Sequence, residues 1–240
     1  MSQPMKRWLR FSLGLTVVLM VAAGLFATWL GLTRVKASDL PALKTGDLVF
    51  QIAGSTQAKA IALASHSLYT HVGIIELNRD GRPQVIEAAQ SVRTTPFEAW
   101  IERGAAGRIT IKRLKGLTEA DAAKVARAAH THDGKPYDIF FWHDRDAIYC
   151  SELVRLAFQD GVGMALGKEE RVKDLNIDNA AVRALIEARW RRHPACIAAK
   201  AESFKRCYAL ILDQTLVTPA SVARDDKLEM VYSNFGLAAD

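Results

Sequence analysis

The sequence is poor in cysteine and proline and has no acidic residue in its first 37 positions. Three cysteines among 240 residues exclude a small scaffold held together by disulfides. Seven prolines, 15 glycines and a hydrophobic content of 50% exclude a collagen-like chain and a disordered one. The length and composition therefore predict one globular domain with an appendage.

The excess of positive charge is concentrated at the N-terminus. The net charge is +6, from 32 Lys+Arg and 26 Asp+Glu. Five of the 32 basic residues lie in 1–37, which leaves 27 basic and 26 acidic residues in 38–240. Nucleic-acid binding needs Lys and Arg clustered on the folded body, and this body is nearly neutral. We therefore expect no nucleic-acid partner.

Residues 11–32 form one uncharged run of 22 residues, and a bilayer span needs only about 20. Basic residues precede the run, which favours export of the residues that follow it. We predict a single N-terminal anchor in the cell inner membrane with an extracytoplasmic domain. The alternative is a signal peptide cleaved near residues 35–37, which would release the domain to the periplasm. The predicted domains are thus 1–37, the signal-anchor segment, and 38–240, the folded body.

An exported domain with three cysteines is expected to hold one disulfide and one free thiol. Cys196 and Cys207 lie eleven positions apart in a local segment, so we predict that they pair. Cys150 is then the free cysteine.

The hydrophobic pattern predicts an α+β fold with a small antiparallel sheet packed on helices. The hairpin at 71–88 is the clearest element, with a turn at 78–81. Predicted strands are 47–51, 71–77, 84–88 and 108–113, and predicted helices lie within 52–69, 96–103, 118–132, 150–161 and 179–192. For 208–217 and 227–232 the pattern leaves helix and strand undecided.

Cys150 lies where an extended run becomes a helix, in the segment DAIYCSELV. A thiol at that position faces unpaired backbone amides and the positive end of the helix dipole. Such surroundings lower the pKa of a cysteine, and the same amides can stabilise an oxyanion. The position predicts a nucleophilic thiolate.

A nucleophilic thiol needs a base, and the base needs a group that orients it. His71 is the one histidine of six that starts a predicted strand, which would hold its ring rigidly. Glu87 interrupts the apolar run of the returning strand, where an unpaired carboxylate is costly. A hairpin loop of odd length would place Glu87 opposite Gly73, on the face of His71, whereas a two-residue turn would place Gln90 opposite His71. We predict Glu87 as the orienting residue, with Gln90 as the alternative.

The segments THVGII, VIEA and YCSELV, in this order, resemble the circularly permuted papain-like hydrolases. The resemblance is to the YiiX/YebB-like group, related to NlpC-type cell-wall peptidases and to lecithin retinol acyltransferase. His71 and Glu87 precede Cys150, as the permuted branch requires. The similarity covers about residues 44–232 and includes three further segments, TGDLVF at 45–50, GKPYD at 134–138 and VTPA at 217–220.

This resemblance implies a permuted papain-like fold and acyl transfer through an acyl-thioester on Cys150, with His71 as the base. It also implies that Tyr137 helps to hold the oxyanion. The implied substrates are peptide amides of the cell envelope. Two alternatives are a lipid acyl hydrolase or acyltransferase, and a catalytically silent binding module anchored at the membrane through residues 11–32. No cofactor is expected.

A second pattern offers a metal site as an alternative. A His-x-His pair and nearby aspartates could bind zinc, but an HExxH spacing is missing. We expect the residues of this acid-rich segment to face water instead. They are His130, His132, Asp133, Asp138, His143, Asp144 and Asp146.

Overall fold

The computed structural model describes residues 39–235, together with residues 20, 21 and 35. The chain divides into two compact units, Met1–Arg34 and Val35–Asp240, and the fold below is that of the second unit. Apart from residues 20 and 21, the predicted anchor at 11–32 lies outside the described residues. Among the residues that are described, none belongs to a helix long and apolar enough to cross a membrane.

In the described part of the chain, eight strands form two antiparallel sheets. They are β1 (Leu48–Ala53), β2 (His71–Leu77), β3 (Pro83–Ala88), β4 (Val92–Pro96), β5 (Gly104–Leu114), β6 (Glu169–Arg171), β7 (Thr215–Val217) and β8 (Leu228–Ser233). The larger sheet has the order β4-β3-β2-β1-β5-β8, and β6 pairs with β7. The predicted antiparallel sheet is therefore confirmed, and the hairpin of β2 and β3 lies near its middle.

The helices pack around this sheet. They are α1 (Thr56–Ser65), α2 (Phe97–Arg103), α3 (Glu119–His130), α4 (Cys150–Val162), α5 (Ala180–Arg189), α6 (Pro194–Ala198), α7 (Phe204–Asp213) and α8 (Pro219–Ala223). The side chain of Thr118 accepts a hydrogen bond from the amide of Asp121, so it caps α3 as the sequence predicts. The result is the predicted α+β fold.

The larger sheet is covered on both faces. Leu48 and Phe50 of β1 belong to one apolar cluster, together with Leu153 of α4. Val49, between them, belongs to the other cluster, together with Trp100 of α2. Successive strand residues point to opposite faces, so two covered faces require a continuous apolar run rather than an alternating one. This explains the uninterrupted apolar segments of the hairpin.

Gly161 does not end α4, contrary to the sequence prediction. The helix continues to Val162, and Gly163, with φ of 72°, adopts the left-handed conformation that ends it. A Cβ at Gly161 would lie 2.9 Å from both Cα and N of Val125 in α3. Gly161 therefore allows α3 and α4 to pack closely.

Other boundaries differ from the prediction. The predicted helix 179–192 is α5 followed by a single 3₁₀ turn at Trp190–Arg192. The undecided segment 208–217 contains the end of α7 and then β7, whereas 227–232 is strand. The pattern missed the short elements β4, β6, α6 and α8. The predicted disulfide is confirmed: Cys196 in α6 is bonded to Cys207 in α7, with a Cα–Cα distance of 5.1 Å.

Candidate active site

Cys150 is the first residue of α4 and is buried. The preceding Tyr149 is extended and gives the helix no side-chain cap, so the first amides of α4 remain available. The Tyr149 hydroxyl instead accepts a hydrogen bond from the amide of Val217 at 3.1 Å. The backbone amides of Ser151 and Val72 interact favourably with the thiolate form of Cys150. The thiol thus lies between the start of α4 and the start of β2.

His71, the first residue of β2, links Cys150 to Glu87. Its Nε2 atom lies 2.7 Å from Oε2 of Glu87, and the ring also interacts with Cys150. Because Nε2 is engaged by the carboxylate, Nδ1 is the nitrogen available to the thiol. The indole of Trp100 stacks on the ring, with centroids 5.9 Å apart. The three predicted residues therefore lie together as one buried, interacting group.

The carboxylate of Glu87 is fully buried and accepts hydrogen bonds from several side chains. The donors reach it from β2, β4 and α2, so the orienting group is itself held on three sides. Besides His71, they are Thr95 Oγ1 at 2.7 Å, Trp100 Nε1 at 3.0 Å, Arg103 Nη2 at 2.5 Å and Arg93 Nε at 3.4 Å.

The strand register explains why Glu87 meets His71. Ile74 pairs with Ile86, and the loop at 78–82 has an odd number of residues. This register places Gly73 across from Glu87, and a Cβ at Gly73 would lie 3.5 Å from the Glu87 Cβ. The register therefore corresponds to the odd-loop alternative. The residue bonded to His71 is Glu87, whereas the backbone carbonyl of Gln90 accepts a hydrogen bond from the amide of Tyr137.

The three groups shift one another's pKa. Burial alone raises the pKa of Glu87, but hydrogen bonds from His71, Arg103 and Thr95 outweigh it and hold that pKa well below its usual range. Burial lowers the pKa of His71, yet its bonds to Cys150 and Glu87 prevail and raise the pKa from 6.5 to about 9. Burial raises the pKa of Cys150, but His71 and two backbone amides lower it overall. The site therefore favours a thiolate next to an imidazolium.

Tyr137 is the fourth predicted site residue, and its hydroxyl interacts with Cys150. The loop before it is fixed to the first residue of β4, since Gly134 N donates to Val92 O at 2.9 Å and Val92 N donates to Lys135 O at 2.8 Å. Burial, with the nearby charge of Cys150, raises the pKa of Tyr137 well above its usual value. The hydroxyl therefore keeps its proton and can act as a hydrogen-bond donor.

An apolar cavity of about 120 Å³ opens beside Cys150. Its walls are almost entirely aliphatic and aromatic, and they come from α1, α5, α7, β7 and the loop at 139–141. Residues on these elements include Ala60, Ala64, Phe140, Val182, Leu185, Ile186, Ile211 and Leu216. The sequence analysis did not identify this cavity because its walls are far apart along the chain. The feature of the sequence that could have indicated the cavity is the set of apolar side chains in α1 and α5 that do not pack against the sheet.

The residues of the metal alternative do not converge. His130 pairs with Asp133 at 2.9 Å and with Glu76 at 3.1 Å, and His143 pairs with Glu152 at 2.9 Å. Within the part of the chain that the structure describes, three or more His, Cys, Asp or Glu side chains are nowhere arranged to hold a metal ion.

Comparison with known proteins identifies the family. Residues 42–232 match the family model described as "Permuted papain-like amidase enzyme, YaeF/YiiX, C92 family". The chain belongs to the permuted papain-like amidases. The observed order of His71 and Glu87 before Cys150 is the order that the permuted topology requires. The chain is therefore an enzyme of the cysteine amidase class.

Two relatives agree with this membership. The chain is 32% identical over 195 residues to a protein described as "Uncharacterized protein YiiX" from Escherichia coli strain K12, covering 81% of this chain and 88% of the relative. It also resembles a crystal structure described as that of the metalloprotein YiiX from Escherichia coli O157:H7. That likeness has a TM-score of 0.72 and 32% identity, and it covers 82% of this chain and 100% of the other. For this permuted amidase, the catalytic roles of Cys150, His71, Glu87 and Tyr137 stay predictions.

Proposed function

We propose that the protein is an amidase that cleaves amides of apolar acyl groups, with Cys150 as the nucleophile. The observation that carries this proposal is the apolar cavity beside the Cys150 thiol. Cys150 itself lines this cavity, so we expect an acyl group bonded to its sulfur to enter it. Of the substrates considered from the sequence, the cavity favours acyl chains of lipid type over peptides.

The first half of the reaction acylates the enzyme. The Cys150 thiolate attacks the amide carbon, a C–S bond forms, and the carbonyl electron pair moves to the oxygen. The Tyr137 hydroxyl donates a hydrogen bond to that oxygen, as an oxyanion-hole donor. The C–N bond then breaks as His71 gives its proton to the leaving amine. The products are a free amine, an acyl-thioester on Cys150 and a neutral His71.

The second half releases the acyl group. Neutral His71 takes a proton from water, whose oxygen attacks the thioester carbon. The C–S bond breaks, a carboxylic acid leaves, and the Cys150 thiolate and the His71 imidazolium are restored. Glu87 keeps the imidazole in one orientation and stabilises its charge in both halves. Atoms and protons therefore balance without another co-reactant.

The need of buried polar groups for hydrogen-bond partners favours an aliphatic acyl group over a peptide one. A peptide on the acyl side carries a backbone amide every third atom, and each buried amide needs a hydrogen-bond partner. The cavity walls are almost entirely apolar and offer few such partners. An aliphatic chain needs none, and each buried methylene contributes about 0.8 kcal/mol. A cavity of about 120 Å³ is similar to one of roughly 150 Å³ that holds benzene, which indicates about six carbons.

The test is a series of fluorogenic anilides of 7-amino-4-methylcoumarin, assayed with the full chain. We expect kcat/KM to rise about fourfold per methylene from acetyl to hexanoyl, as the hydrophobic increment requires. The Cys150→Ala variant should abolish turnover of every substrate. Flat chain-length dependence, or a leucyl-peptide anilide cleaved faster than the hexanoyl one, would overturn the acyl specificity.

We also propose that the enzyme works outside the cytoplasm, tethered by residues 11–32. The Cys196–Cys207 disulfide supports this location, because disulfides persist mainly in oxidising compartments. Protease added to spheroplasts should digest the folded body while the membrane stays intact. Protection of that body until the membrane is lysed would contradict the location.

A further inference from the structure

The apolar cavity contains two buried polar side chains that the proposed reaction does not use. His193 is 4% exposed and Gln214 is 8% exposed, and both line the cavity. His193 immediately precedes α6, and Gln214 immediately follows α7. Buried polar atoms are normally hydrogen-bonded, so an exception in a ligand cavity needs an explanation.

In the part of the chain that the structure describes, three of the four side-chain polar atoms of His193 and Gln214 lack a partner with hydrogen-bond geometry. Neither ring nitrogen of His193 has a partner with hydrogen-bond geometry among the described residues, and the same holds for Oε1 of Gln214. The other end of the Gln214 amide is engaged, since Nε2 donates to the carbonyls of Phe140, at 3.0 Å, and Phe141. Gln214 is thereby held with its side chain beside His193, with which it interacts.

Aromatic contacts fix the His193 ring. The rings of Phe140 and Trp142 meet it edge to face, with centroid distances of 5.4 Å and 5.9 Å. Burial lowers the pKa of His193, and the neighbouring Gln214 and Phe140 oppose this only in part. His193 is therefore neutral at pH 7, with one nitrogen as donor and the other as acceptor.

We infer that His193 and Gln214 bind a hydroxyl group carried by the acyl chain of the substrate. This inference rests on the proposed function, because the hydroxyl must enter the cavity with the chain bonded to Cys150. The hydroxyl donates to the Gln214 oxygen or to the bare His193 nitrogen, and its oxygen accepts from the protonated His193 nitrogen. The enzyme thus selects hydroxylated over plain aliphatic acyl groups.

The chemistry of the pair favours a hydroxyl over other polar groups. A carboxylate or phosphate between His193 and Gln214 would meet a neutral imidazole and the negative end of an amide dipole, and neither compensates a buried charge. The cation that also lines the cavity, Arg189, already donates to the Ile139 carbonyl at 2.8 Å. The N–H and C=O groups of a secondary amide point in opposite directions across a planar bond, whereas His193 and Gln214 are neighbours. A hydroxyl presents a donor and an acceptor at one atom.

The disulfide connects the two elements that carry this pair. Cys196 in α6 is three residues after His193, and its amide donates to the His193 carbonyl at 3.0 Å. Cys207 lies in α7, the helix that leads to Gln214. The covalent bond between the two helices therefore supports the relative placement of His193 and Gln214.

The test measures ligand binding in the Cys150→Ser background of the full chain, where thiolate turnover is removed. The probes are hexanamide and the five isomeric hydroxyhexanamides, which carry one hydroxyl on carbon 2, 3, 4, 5 or 6. We expect one isomer to bind about tenfold more tightly than hexanamide, the usual gain from satisfying a buried polar pair. In His193→Phe, which keeps the ring but loses both nitrogens, the ratio should fall to about one.

A matched control is His132→Phe, because His132 is also buried with both ring nitrogens unsatisfied but does not line the cavity. It should keep the tenfold ratio. If hexanamide binds and every hydroxylated isomer binds equally or more weakly, the hydroxyl inference is wrong and the apolar acyl site stands. If hexanamide and all isomers fail to bind, the proposed acyl site itself is wrong. Even where His193→Phe fails to fold, the comparison of hexanamide with its hydroxylated derivatives in the protein that retains His193 still tests the inference.

Discussion

The Nε2 atom of His71 lies 2.7 Å from Oε2 of Glu87, and both side chains are buried. The carboxylate is held in addition by Thr95, Trp100 and Arg103, so the histidine is not the only group that fixes its charge and direction. A fixed negative charge next to a buried imidazole favours the imidazolium. We therefore propose, as the central claim, that the site holds the Cys150 thiolate and the His71 imidazolium together at neutral pH.

Replacing Glu87 by Gln tests the charge without changing the shape. The pKa of His71 is raised to about 9, so activity should fall as the pH rises through about 9 and His71 loses its proton. In Glu87→Gln the carboxylate charge is absent, so the midpoint of this alkaline limb should move toward 6.5, the ordinary pKa of histidine. We expect kcat/KM at pH 7 to drop about tenfold or more. A pH profile whose alkaline limb stays in place would contradict the role of Glu87.

Replacing Tyr137 by Phe removes the proposed donor to the oxyanion. We expect kcat to fall about 10²-fold, the usual loss for one such donor, with a smaller change in KM. The matched control is Tyr149→Phe, since the Tyr149 hydroxyl accepts from the Val217 amide instead. That variant should lose some stability but keep kcat within about threefold. Equal losses of kcat in the two variants would show that Tyr137 acts only through structure.

Replacing Gly73 by Ala tests the close approach of β3 to β2. A Cβ there would lie 2.3 Å from Cγ1 of Val85 and 3.1 Å from the Ile86 carbonyl oxygen. Such overpacking costs about 1–3 kcal/mol, so the urea midpoint should fall by a corresponding amount. Gly54→Ala is the control, because its nearest neighbour would be the Arg103 carbonyl oxygen at 3.7 Å. Equal urea midpoints for the two variants would rule out a steric need for Gly73.

Replacing Ala64 by Leu tests the acyl cavity by filling it. Ala64 lines the cavity from α1, and the added carbons would occupy space meant for the chain. We expect kcat/KM for the hexanoyl anilide to drop about tenfold, while that for the acetyl anilide changes little. Ala62→Leu lies on the same helix but outside the cavity wall, so it should leave the hexanoyl-to-acetyl ratio unchanged. A ratio that is the same in both variants would place the acyl chain elsewhere.

Local chemistry made much of the site predictable from the sequence. Cys150 could be recognised because a helix start is visible in the pattern, and His71 because a strand start is visible as well. Glu87 followed from one argument, that a carboxylate in an apolar strand needs a partner. Its alternative, Gln90, differed only in the hairpin register. That register depends on loop length, which the sequence left open.

What could not be predicted arises from long-range packing. Trp100 and Arg103 reach Glu87 from α2, and the sequence gives no sign that this helix lies beside the carboxylate. The pair of His193 and Gln214 is brought together across α6 and α7, and both were ordinary polar residues in sequence. The sequence predicts that the helix starting at Cys150 ends at residue 161, and this is wrong for the same reason. The closeness of Gly161 to Val125 exists only in the packed structure.

The most direct test of the central claim is the rate of alkylation of Cys150 by iodoacetamide as a function of pH, with the label located by mass spectrometry. The full chain should be labelled rapidly below pH 7, because His71 and the amides of Ser151 and Val72 lower the pKa of the thiol. In His71→Ala the labelling should follow an ordinary thiol, with a midpoint near about 8.5. Slow labelling below pH 7 with the same midpoint in both proteins would show that Cys150 and His71 form no ion pair.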